Sequence, residues 1–321
     1  MTKKTILVVI PCLNEAAHIG RLLKQFYKIE SVFIVVADGG STDGTQQIVK
    51  SFMIDCTNIK LINNDKKIQS AGINLAIKIF GNDCEYFIRI DAHADYPDNF
   101  ITSLIQTAGT TGADSVVITM DTVGKTDIQK VFAVAQNSKL GNGGSAHRNI
   151  KNKGLWVDHG HHALMRASAF NQVGGYDESF VANEDAELDF RLIKSGFKIW
   201  LTSATSMKYY PRDTFNGLFK QYYRYGIGRA SNVIKHRKIP KIRQLIPLSV
   251  LPALLLCSLS PLNLIFSLPF FVWLSFCLMY GVVLAIKNKK LVVILSGPSA
   301  ALMHLGWSAG FCRKLVKNIL F

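Results

Sequence analysis

The chain has 321 residues, of which 49% are hydrophobic, and its 37 lysines and arginines outnumber its 22 aspartates and glutamates to give a net charge of +15 at pH 7. This length suits two average domains, or one large α/β domain with an appended segment. The six cysteines show no Cys-x-x-Cys spacing, so we expect no disulfide framework and a reducing, cytoplasmic compartment. No nucleic-acid-binding motif accompanies the positive charge, so nucleic acid is not an expected partner.

Short apolar runs alternate with amphipathic segments from residue 5 to about residue 205. The runs predict strands at residues 6–10, 32–37, 58–63, 86–90 and 115–120. Helices are expected after the first four strands, where apolar residues recur at helical spacing. Continuous apolar runs of this kind are typical of buried parallel strands. The sequence therefore predicts an α/β fold with a mostly parallel central sheet covered by helices on both faces.

Between about residues 121 and 160 this alternation gives way to a segment rich in glycine, asparagine, serine and histidine. A long glycine-rich segment inside a compact domain is usually functional or mobile. No helix or strand is predicted there.

An almost uncharged stretch runs from residue 245 to residue 286. It is about twice the roughly 20 residues that one membrane helix needs, and residues 260–263 offer a turn. A transmembrane helical hairpin is therefore expected, with a buried core hairpin as the less favoured alternative. Basic residues flank both outer ends of the stretch, and they are Lys235, Arg237, Lys238, Lys241, Arg243, Lys287, Lys289 and Lys290. They predict that both ends face the cytoplasm and contact anionic membrane lipid.

A third apolar stretch, residues 291–312, is interrupted by a Ser-Gly-Pro sequence and by His304. It could span the membrane, re-enter it or lie in the interface, and the basic residues on both sides favour the last two. The predicted organisation is an α/β domain at residues 1–230, a basic juxtamembrane segment at 231–244, the hairpin at 245–286, and the third apolar segment with a basic tail at 287–321.

Acidic residues follow three of the apolar runs. Asp38, Asp91 and the Glu184-Asp185 pair each stand where a run ends. Because ligands of open α/β sheets bind at the carboxyl ends of the strands, we expect these side chains to converge on one crevice. If a phosphate-bearing ligand binds there, a divalent cation is needed to offset the like charges. Taken singly, these residues could equally cap turns or complement a helix dipole.

Two further patterns point to ligand binding. Asp91 and His93 are two residues apart and can chelate Mg²⁺ or Mn²⁺, of which an imidazole suits Mn²⁺ better. Gln221 and Arg224 share a helical face and could hold a phosphate or a sugar, or else belong to an interfacial helix with an aromatic belt. The turn after Asp38 matches neither Gly-x-Gly-x-x-Gly nor the phosphate-binding loop that ends in Gly-Lys-Ser/Thr.

Six segments, in their order along the chain, match motifs of a known family. Through them the chain resembles the family 2 glycosyltransferases with the GT-A nucleotide-sugar fold, and within that family the bacterial exopolysaccharide enzymes of the succinoglycan type. The matching segments are residues 8–15, 38–43, 91–94, 174–178, 183–188 and 221–226. The resemblance spans about residues 5–230. It implies a nucleotide-sugar (Rossmann-like) GT-A domain at residues 1–230.

The resemblance also implies roles for individual residues. A nucleotide-sugar donor would be bound by Pro11, Asn14, Glu15, Asp38, Lys67, Gln69 and Asp91. A divalent cation, Mn²⁺ or Mg²⁺, would be held on the diphosphate by Asp91 and His93. Asp185 would be the base that deprotonates the acceptor hydroxyl, which gives inversion. The acceptor and diphosphate would be bordered by His161, Glu184, Gln221, Arg224 and Tyr225.

His159, His161 and His162 lack structural zinc spacing. We expect either His161 or His162 to face the acceptor pocket while the other packs. The sequence departs from the family pattern in two places. His93 stands where a second carboxylate is commoner, and Tyr225 replaces the Trp of the Gln-x-x-Arg-Trp motif of processive synthases. Together with only two or three membrane segments, this argues against a polymer-extruding channel.

The resemblance thus implies an inverting glycosyltransferase at the inner (cytoplasmic) membrane, with its catalytic domain facing the cytoplasm. It would move a sugar from a nucleotide-sugar donor to a polyprenyl-diphosphate-linked saccharide, and the expected donor is a UDP-sugar. One alternative is a polyprenyl-phosphate glycosyltransferase. Another is a non-catalytic membrane scaffold that keeps the nucleotide-sugar fold.

Overall fold

The structure of the chain is a computed structural model that describes residues 5–143, 154–240 and 242–320. Its residues divide into two compact units. As far as they are described, the first unit comprises residues 1–121, 149–179 and 184–209, and the second comprises residues 122–148, 180–183 and 210–321.

The strands of the described residues form one sheet. They are β1 (Thr5–Cys12), β2 (Val32–Asp38), β3 (Ile59–Asn63), β4 (Cys84–Arg89), β5 (Ser115–Thr122), β6 (Leu155–Val157), β7 (His161–Arg166) and β8 (Ile199–Tyr209). Their order across the sheet is β3-β2-β1-β4-β7-β5-β8-β6. The first five lie within two residues of the predicted strands at both ends.

The strands β1 to β5 run in one direction. β1 pairs in parallel with β2 and β4, and β2 pairs in parallel with β3. β7 is antiparallel to both β4 and β5, so β5 has the direction of β4. The carboxyl ends of β1, β2 and β4 therefore lie side by side, and we call the edge that they form the crevice.

The helices are α1 (Ala16–Phe26), α2 (Thr45–Asp55), α3 (Gln69–Phe80), α4 (Phe100–Thr111), α5 (Asp127–Asn137), α6 (Lys139–Asn142), α7 (Ala167–Gln172), α8 (Glu184–Lys194), α9 (Phe215–His236), α10 (Ile242–Cys257), α11 (Leu268–Asn288) and α12 (Ser296–Leu320). In the first unit, α1, α2 and α4 pack on one face of the sheet against Val8 and Ile10 of β1. On the other face, α3, α7 and α8 pack against Leu7 and Val9. This alternation of side chains along β1 confirms the predicted α/β fold with two covered faces.

The second unit is helical in its described part. α5 and α6 fall in the segment for which no helix was predicted, although residues 144–153 of that segment lie outside the described residues. Thr126 and Gln129 form a capping box at the start of α5. The buried side chains of α5 pack with Leu218 of α9 and Met303 of α12. The Thr-x-x-Gln spacing is a helix-start signal in the sequence that could have predicted α5.

Two helices of the second unit are long and apolar enough to cross a membrane, within the residues that are described. They are residues Leu264–Asn288 and Leu291–Ile319, with 25 and 29 residues, and Gln244–Cys257 is a shorter apolar helix. α10 and α11 flank the turn that was expected at residues 260–263, as in a helical hairpin. The stretch from residue 291 lies within the second long helix. Their length and apolar composition carry this assignment.

Candidate functional site

Asp38, the last residue of β2, organises the loop that follows this strand. Its Oδ2 accepts hydrogen bonds from the backbone N–H of Gly40 and Ser41, both at 2.9 Å, and from Gln46 Nε2 at 2.6 Å. Its Oδ1 accepts from the Ser41 hydroxyl at 2.5 Å. The carboxylate is buried and multiply hydrogen-bonded, which fixes the turn at the crevice.

The loop after β1 is tied to this turn through Asn14. Its backbone N–H donates to the Ser41 hydroxyl at 2.8 Å, and its Oδ1 accepts from the N–H of Thr42 at 2.9 Å. Asn14 has φ of 57°, a left-handed conformation that asparagine tolerates better than most residues. The N–H of Glu15 donates to the Thr45 hydroxyl at 2.8 Å. Pro11 pairs with Ala37 between β1 and β2, so the predicted nucleotide-binding residues on both loops are neighbours.

Lys67 and Gln69 lie at the start of α3, on a third side of the crevice. Lys67 is exposed, and its Cα would lie 3.3 Å from a Cβ added at Gly39. Glycine at position 39 therefore lets the chain at Lys67 approach the turn after β2 closely. Gln69 Nε2 donates to Asp91 Oδ1 at 2.7 Å. The structure thus brings Gln69 and Asp91 together.

Asp91 lies just past β4 and has three polar side chains around it. Besides Gln69, Arg89 Nε donates to Oδ1 at 3.1 Å, and His161 Nε2 lies 3.4 Å from Oδ2. Burial by itself would raise the pKa of Asp91, but the Arg89 guanidinium and the His161 ring outweigh it and hold the pKa well below its usual value. Asp91 is therefore an ionised carboxylate at the crevice.

His93 lies close to the loop after β1. Its Nδ1 is 3.2 Å from Glu15 Oε1, and its side chain is 52% exposed. Among the residues that the structure describes, no group of three or more His, Cys, Asp or Glu side chains could hold a metal ion. One hard carboxylate and one imidazole, Asp91 and His93, do fit a cation whose remaining ligands are diphosphate oxygens and water.

Arg89 is a residue of this crevice that the sequence analysis missed. It is buried, and while its Nε contacts Asp91, its Nη1 donates to Asp185 Oδ1 at 2.7 Å. The guanidinium therefore links the carboxylate after β4 to the carboxylate at the start of α8. An arginine inside an apolar run was the available signal, because a buried charge requires partners.

Asp185 lies in the first turn of α8, next to Glu184. Burial opposes ionisation of Asp185, but Arg89 and then His162 outweigh it and hold its pKa well below the usual value. Burial and the neighbouring Asp185 carboxylate raise the pKa of Glu184. Of the two adjacent carboxylates, Asp185 is thus the one kept ionised, while protonation of Glu184 becomes easier.

The two histidines of β7 have different surroundings. His161 Nδ1 lies 3.8 Å from Asp185 Oδ2 and its Nε2 lies beside Asp91, so His161 stands between the two carboxylates. His162 is buried and contacts Asp189 of α8 and Tyr176. The alternation of side chains along a strand separates the two rings. His161 therefore faces the crevice and His162 packs behind it, and a role of His161 toward the acceptor stays a prediction.

Gln221, Arg224 and Tyr225 lie on α9, in the second unit. Gln221 is buried and its Nε2 donates to the Tyr225 hydroxyl at 2.9 Å. Arg224 and Tyr225 are exposed. The backbone carbonyl of Tyr225 accepts from Asn183 Nδ2 at 2.9 Å within the same unit. The predicted pairing of positions 221 and 224 on one helix is thus present, and its role remains a prediction.

Two protein-family profiles match the chain. Glycosyl transferase family 2 matches residues 7–174, which include the crevice residues from Pro11 to His162. Glycosyl transferase family group 2 matches residues 115–287, which include α8 and α9.

Known proteins are similar over nearly the whole chain. The succinoglycan biosynthesis protein ExoA of Rhizobium meliloti is 49% identical over 319 residues, 98% of this chain and 96% of that protein. A dolichyl N-acetyl-α-D-glucosaminyl phosphate 3-β-D-2,3-diacetamido-2,3-dideoxy-β-D-glucuronosyltransferase of Methanococcus voltae is 26% identical and covers 98% of both chains.

Among solved structures, a mannosyltransferase of Pyrobaculum calidifontis in complex with GDP-Man and Mn²⁺ has the same fold. Its TM-score is 0.65 at 17% identity, over 98% of this chain and 88% of that one. The family match over more than half of the chain and the 49% identity agree with the resemblance inferred from the sequence. The chain therefore belongs to the family 2 glycosyltransferases, as one of the exopolysaccharide type.

Proposed function

We propose that this glycosyltransferase transfers a sugar with inversion from a UDP-linked donor to a polyprenyl-diphosphate-linked saccharide at the cytoplasmic face of the inner membrane. The observation that carries the proposal is the Arg89 guanidinium between Asp91 and Asp185, with 3.1 Å and 2.7 Å contacts. Through these contacts Arg89 keeps Asp91 ionised on the diphosphate side of the crevice and Asp185 ionised on its acceptor side.

On the donor side, the turn after Asp38 and the loop carrying Asn14 and Glu15 would receive the base and ribose. Lys67, exposed beside this turn, would face the diphosphate, and Gln69 would orient Asp91. A divalent cation held by Asp91 and His93 would offset the negative charge on the departing diphosphate. The matched mannosyltransferase, solved with GDP-Man and Mn²⁺, supports both a nucleotide-sugar donor and a cation.

On the acceptor side, Asp185 would act as the general base. The acceptor oxygen attacks the anomeric carbon, the bond from that carbon to the diphosphate oxygen breaks, and the hydroxyl proton passes to Asp185. A carboxylate of low pKa is a weak base toward a free hydroxyl. The proton therefore moves as the new C–O bond forms, when the hydroxyl becomes strongly acidic. Attack opposite to the leaving group inverts the anomeric carbon.

The acceptor proposal rests on the apolar helices and on one relative. Two helices are long enough to span a membrane in the described residues, and basic residues flank them. The Methanococcus voltae relative is described as acting on a dolichyl-linked sugar. A lipid-linked acceptor requires the crevice to work at a membrane surface, which a membrane-anchored enzyme provides.

The test is nucleoside diphosphate release by the detergent-purified full chain. UDP-glucose, UDP-galactose, UDP-GlcNAc and GDP-mannose would each be supplied with a bacterial membrane lipid extract, in Mn²⁺, in Mg²⁺ and in chelator. We expect cation-dependent release with one UDP-sugar, and an inverted anomeric configuration in the lipid product by NMR. Asp185→Asn should abolish transfer.

Other outcomes would change specific parts of the proposal. A product with one sugar on a lipid monophosphate would replace the acceptor by polyprenyl phosphate. A retained anomeric configuration would exclude the inverting mechanism. UDP binding without transfer from any donor would favour a non-catalytic scaffold.

A further inference from the structure

A chain of buried polar side chains lies behind Asp185, on the side away from His161. Asp189 Oδ1 is 2.7 Å from His162 Nε2, His162 Nδ1 is 2.7 Å from the Tyr176 hydroxyl, and that hydroxyl is 3.3 Å from Asp185 Oδ1. His162 is 3% exposed, Tyr176 3% and Asp189 0%. Buried polar groups at these distances are held in place by one another.

The direction of each hydrogen bond follows from the chemistry of the end groups. The Asp189 carboxylate only accepts, so His162 Nε2 carries a proton and donates to it. Asp189 also accepts from Gly160 N–H at 3.2 Å, and His159 Nδ1 lies 2.8 Å from its Oδ2. Although burial opposes a charge on His162, Tyr176, Asp189 and Asp185 outweigh it and raise the pKa of the ring well above its usual value.

Asp189 lies 2.7 Å from Nε2 of His162 and Asp185 lies 3.3 Å from Nδ1, and a ring between two carboxylates is assigned here as an imidazolium whose two nitrogens both donate. The Nδ1–H donates to the Tyr176 oxygen, which leaves the Tyr176 hydroxyl proton to be donated to Asp185 Oδ1. A neutral ring accepting at Nδ1 would use that hydroxyl proton itself, and Tyr176 would have none for Asp185. Charge on His162 thus determines whether Asp185 receives this donor.

The two oxygens of Asp185 differ as a result. Oδ1 is contacted by Arg89 Nη1 at 2.7 Å, by the Tyr176 hydroxyl at 3.3 Å and by His162 Nδ1 at 3.3 Å. Oδ2 lies 3.8 Å from His161 Nδ1, which is too long for a hydrogen bond. The donors gathered on Oδ1 fix the rotation of the carboxylate, and they leave Oδ2 as the oxygen that meets a proton in the crevice.

We propose that Asp189 and His162 are positioning residues for the transfer reaction, which act through Tyr176 to hold Asp185 ionised with its Oδ2 directed at the acceptor hydroxyl. The inference rests on the proposed role of Asp185 as the base. Neither Asp189 nor His162 touches the substrate. Here a buried carboxylate orients a histidine. Buried residues around active sites commonly orient the side chains that contact the substrate in this way.

The charges around Asp185 determine the expected pH profile. The ionisable groups that surround Asp185 or its partners are Arg89, Asp91, His159, His161, His162, Tyr176, Glu184 and Asp189. Removing the positive ring of His162 makes ionisation of Asp185 less favourable, so its pKa rises. The acid limb of the kcat/KM profile must then move to higher pH, and Asp189→Asn should move it in the same direction by weakening the charge on His162.

The experiment compares full-length variants in the release assay, with the nucleotide-sugar of the four-donor panel that the wild type uses. His162→Gln and Asp189→Asn should lower kcat/KM by about tenfold or more and move the acid limb up by about one pH unit. Tyr176→Phe, which removes only the hydroxyl, should lower kcat with little change in the KM for the donor. Added imidazole should restore part of the activity of His162→Gly.

Glu187→Gln is the matched control. Glu187 is a fully buried carboxylate of the same helix, but it pairs with Arg191 at 2.6 Å. Its loss should reduce stability and leave the pH profile unchanged. If His162→Gln destabilises the fold too far for assay, Tyr176→Phe carries the test alone.

The outcomes separate the inference from the proposed function. An inactive wild type across all donors would overturn the proposed function and this inference with it. An active wild type, an inactive Asp185→Asn, an unchanged acid limb in His162→Gln and an unchanged kcat in Tyr176→Phe would overturn the inference alone. If Glu187→Gln shifted the acid limb as much as His162→Gln does, the shift would reflect general destabilisation, and the inference would be overturned.

Discussion

Arg89 and Asp185 form a buried ion pair, with Nη1 of the guanidinium 2.7 Å from Oδ1 of the carboxylate. The same guanidinium contacts Asp91 at 3.1 Å, so one positive charge serves two carboxylates from different elements. The Arg89 side chain is 5% exposed, so this charge lies out of contact with bulk solvent. Folding of β4 against α8 and ionisation of both carboxylates therefore depend on the same residue.

We predict that Arg89→Met lowers the free energy of unfolding by about 3–5 kcal/mol, the usual cost of removing one partner from a buried ion pair. Two carboxylates would be left in the crevice without their shared cation. Thermal unfolding of the detergent-purified chain measures the effect. Sugar transfer should be lost as well, since the pKa of Asp185 would rise.

Arg166→Met is the control for this change. Arg166 pairs with Glu85 at 2.9 Å and Asp114 at 3.2 Å, but its side chain is 28% exposed. Ion pairs near the surface contribute about 1 kcal/mol or less. Equal loss of stability in the two variants would show that burial of Arg89 does not matter.

A second prediction concerns the cation. Asp91→Asn should abolish cation-dependent transfer, because an amide oxygen is a far weaker ligand than a carboxylate for Mn²⁺ or Mg²⁺. His93→Asp should retain transfer and shift the preference from Mn²⁺ toward Mg²⁺, since it replaces an imidazole by a hard oxygen ligand. Initial rates over a series of concentrations of each cation measure both effects. An unchanged Mn²⁺/Mg²⁺ ratio in His93→Asp would remove His93 from the site.

Much of this architecture could be predicted from the sequence because its signals are local. Apolar runs placed β1 to β5, and ordered motifs identified the family. Arg89 was missed because a lone arginine in the run 86–90 acquires meaning only when Asp185, 96 residues away, folds onto it. The roles of His161 and His162 were undecided for the same reason, since the register of β7 against β4 and β5 is set by tertiary pairing. The helix α5 was missed because its glycine-rich surroundings outweighed its capping box.

A third prediction concerns the pH dependence of stability through the His162–Asp189 pair. The pKa of His162 is raised above its ordinary 6.5, so its contribution is complete below 6.5 and is lost as pH rises through the folded value. The pKa of Asp189 is lowered from 3.8, so its contribution is complete above 3.8 and is lost as pH falls through the folded value. The pair therefore stabilises the fold most between these two ordinary values.

His162→Gln should accordingly lower the unfolding temperature most in the window between pH 3.8 and 6.5, and progressively less at alkaline pH. Unfolding temperatures of wild type and variant across a pH series give the difference directly. Glu187→Gln, which keeps the imidazole, should not reproduce the decline of the effect on the alkaline side. A difference that is constant with pH would mean that the ring is not charged in the folded protein.

The last prediction concerns close packing of α9 and α12 within the second unit. A Cβ at Gly310 would lie 2.0 Å from the carbonyl oxygen of Tyr223, and one at Gly226 would lie 2.0 Å from that of Trp307. At such distances the backbones must separate, so Gly310→Ala should destabilise the second unit by about 1–3 kcal/mol. Gly109→Ala in α4, where nothing lies within 4 Å of the added carbon, should instead be neutral or stabilising by up to about 1 kcal/mol. Thermal unfolding in detergent compares the two alanines, and equal shifts would mean that the contact between α9 and α12 tolerates a side chain at position 310.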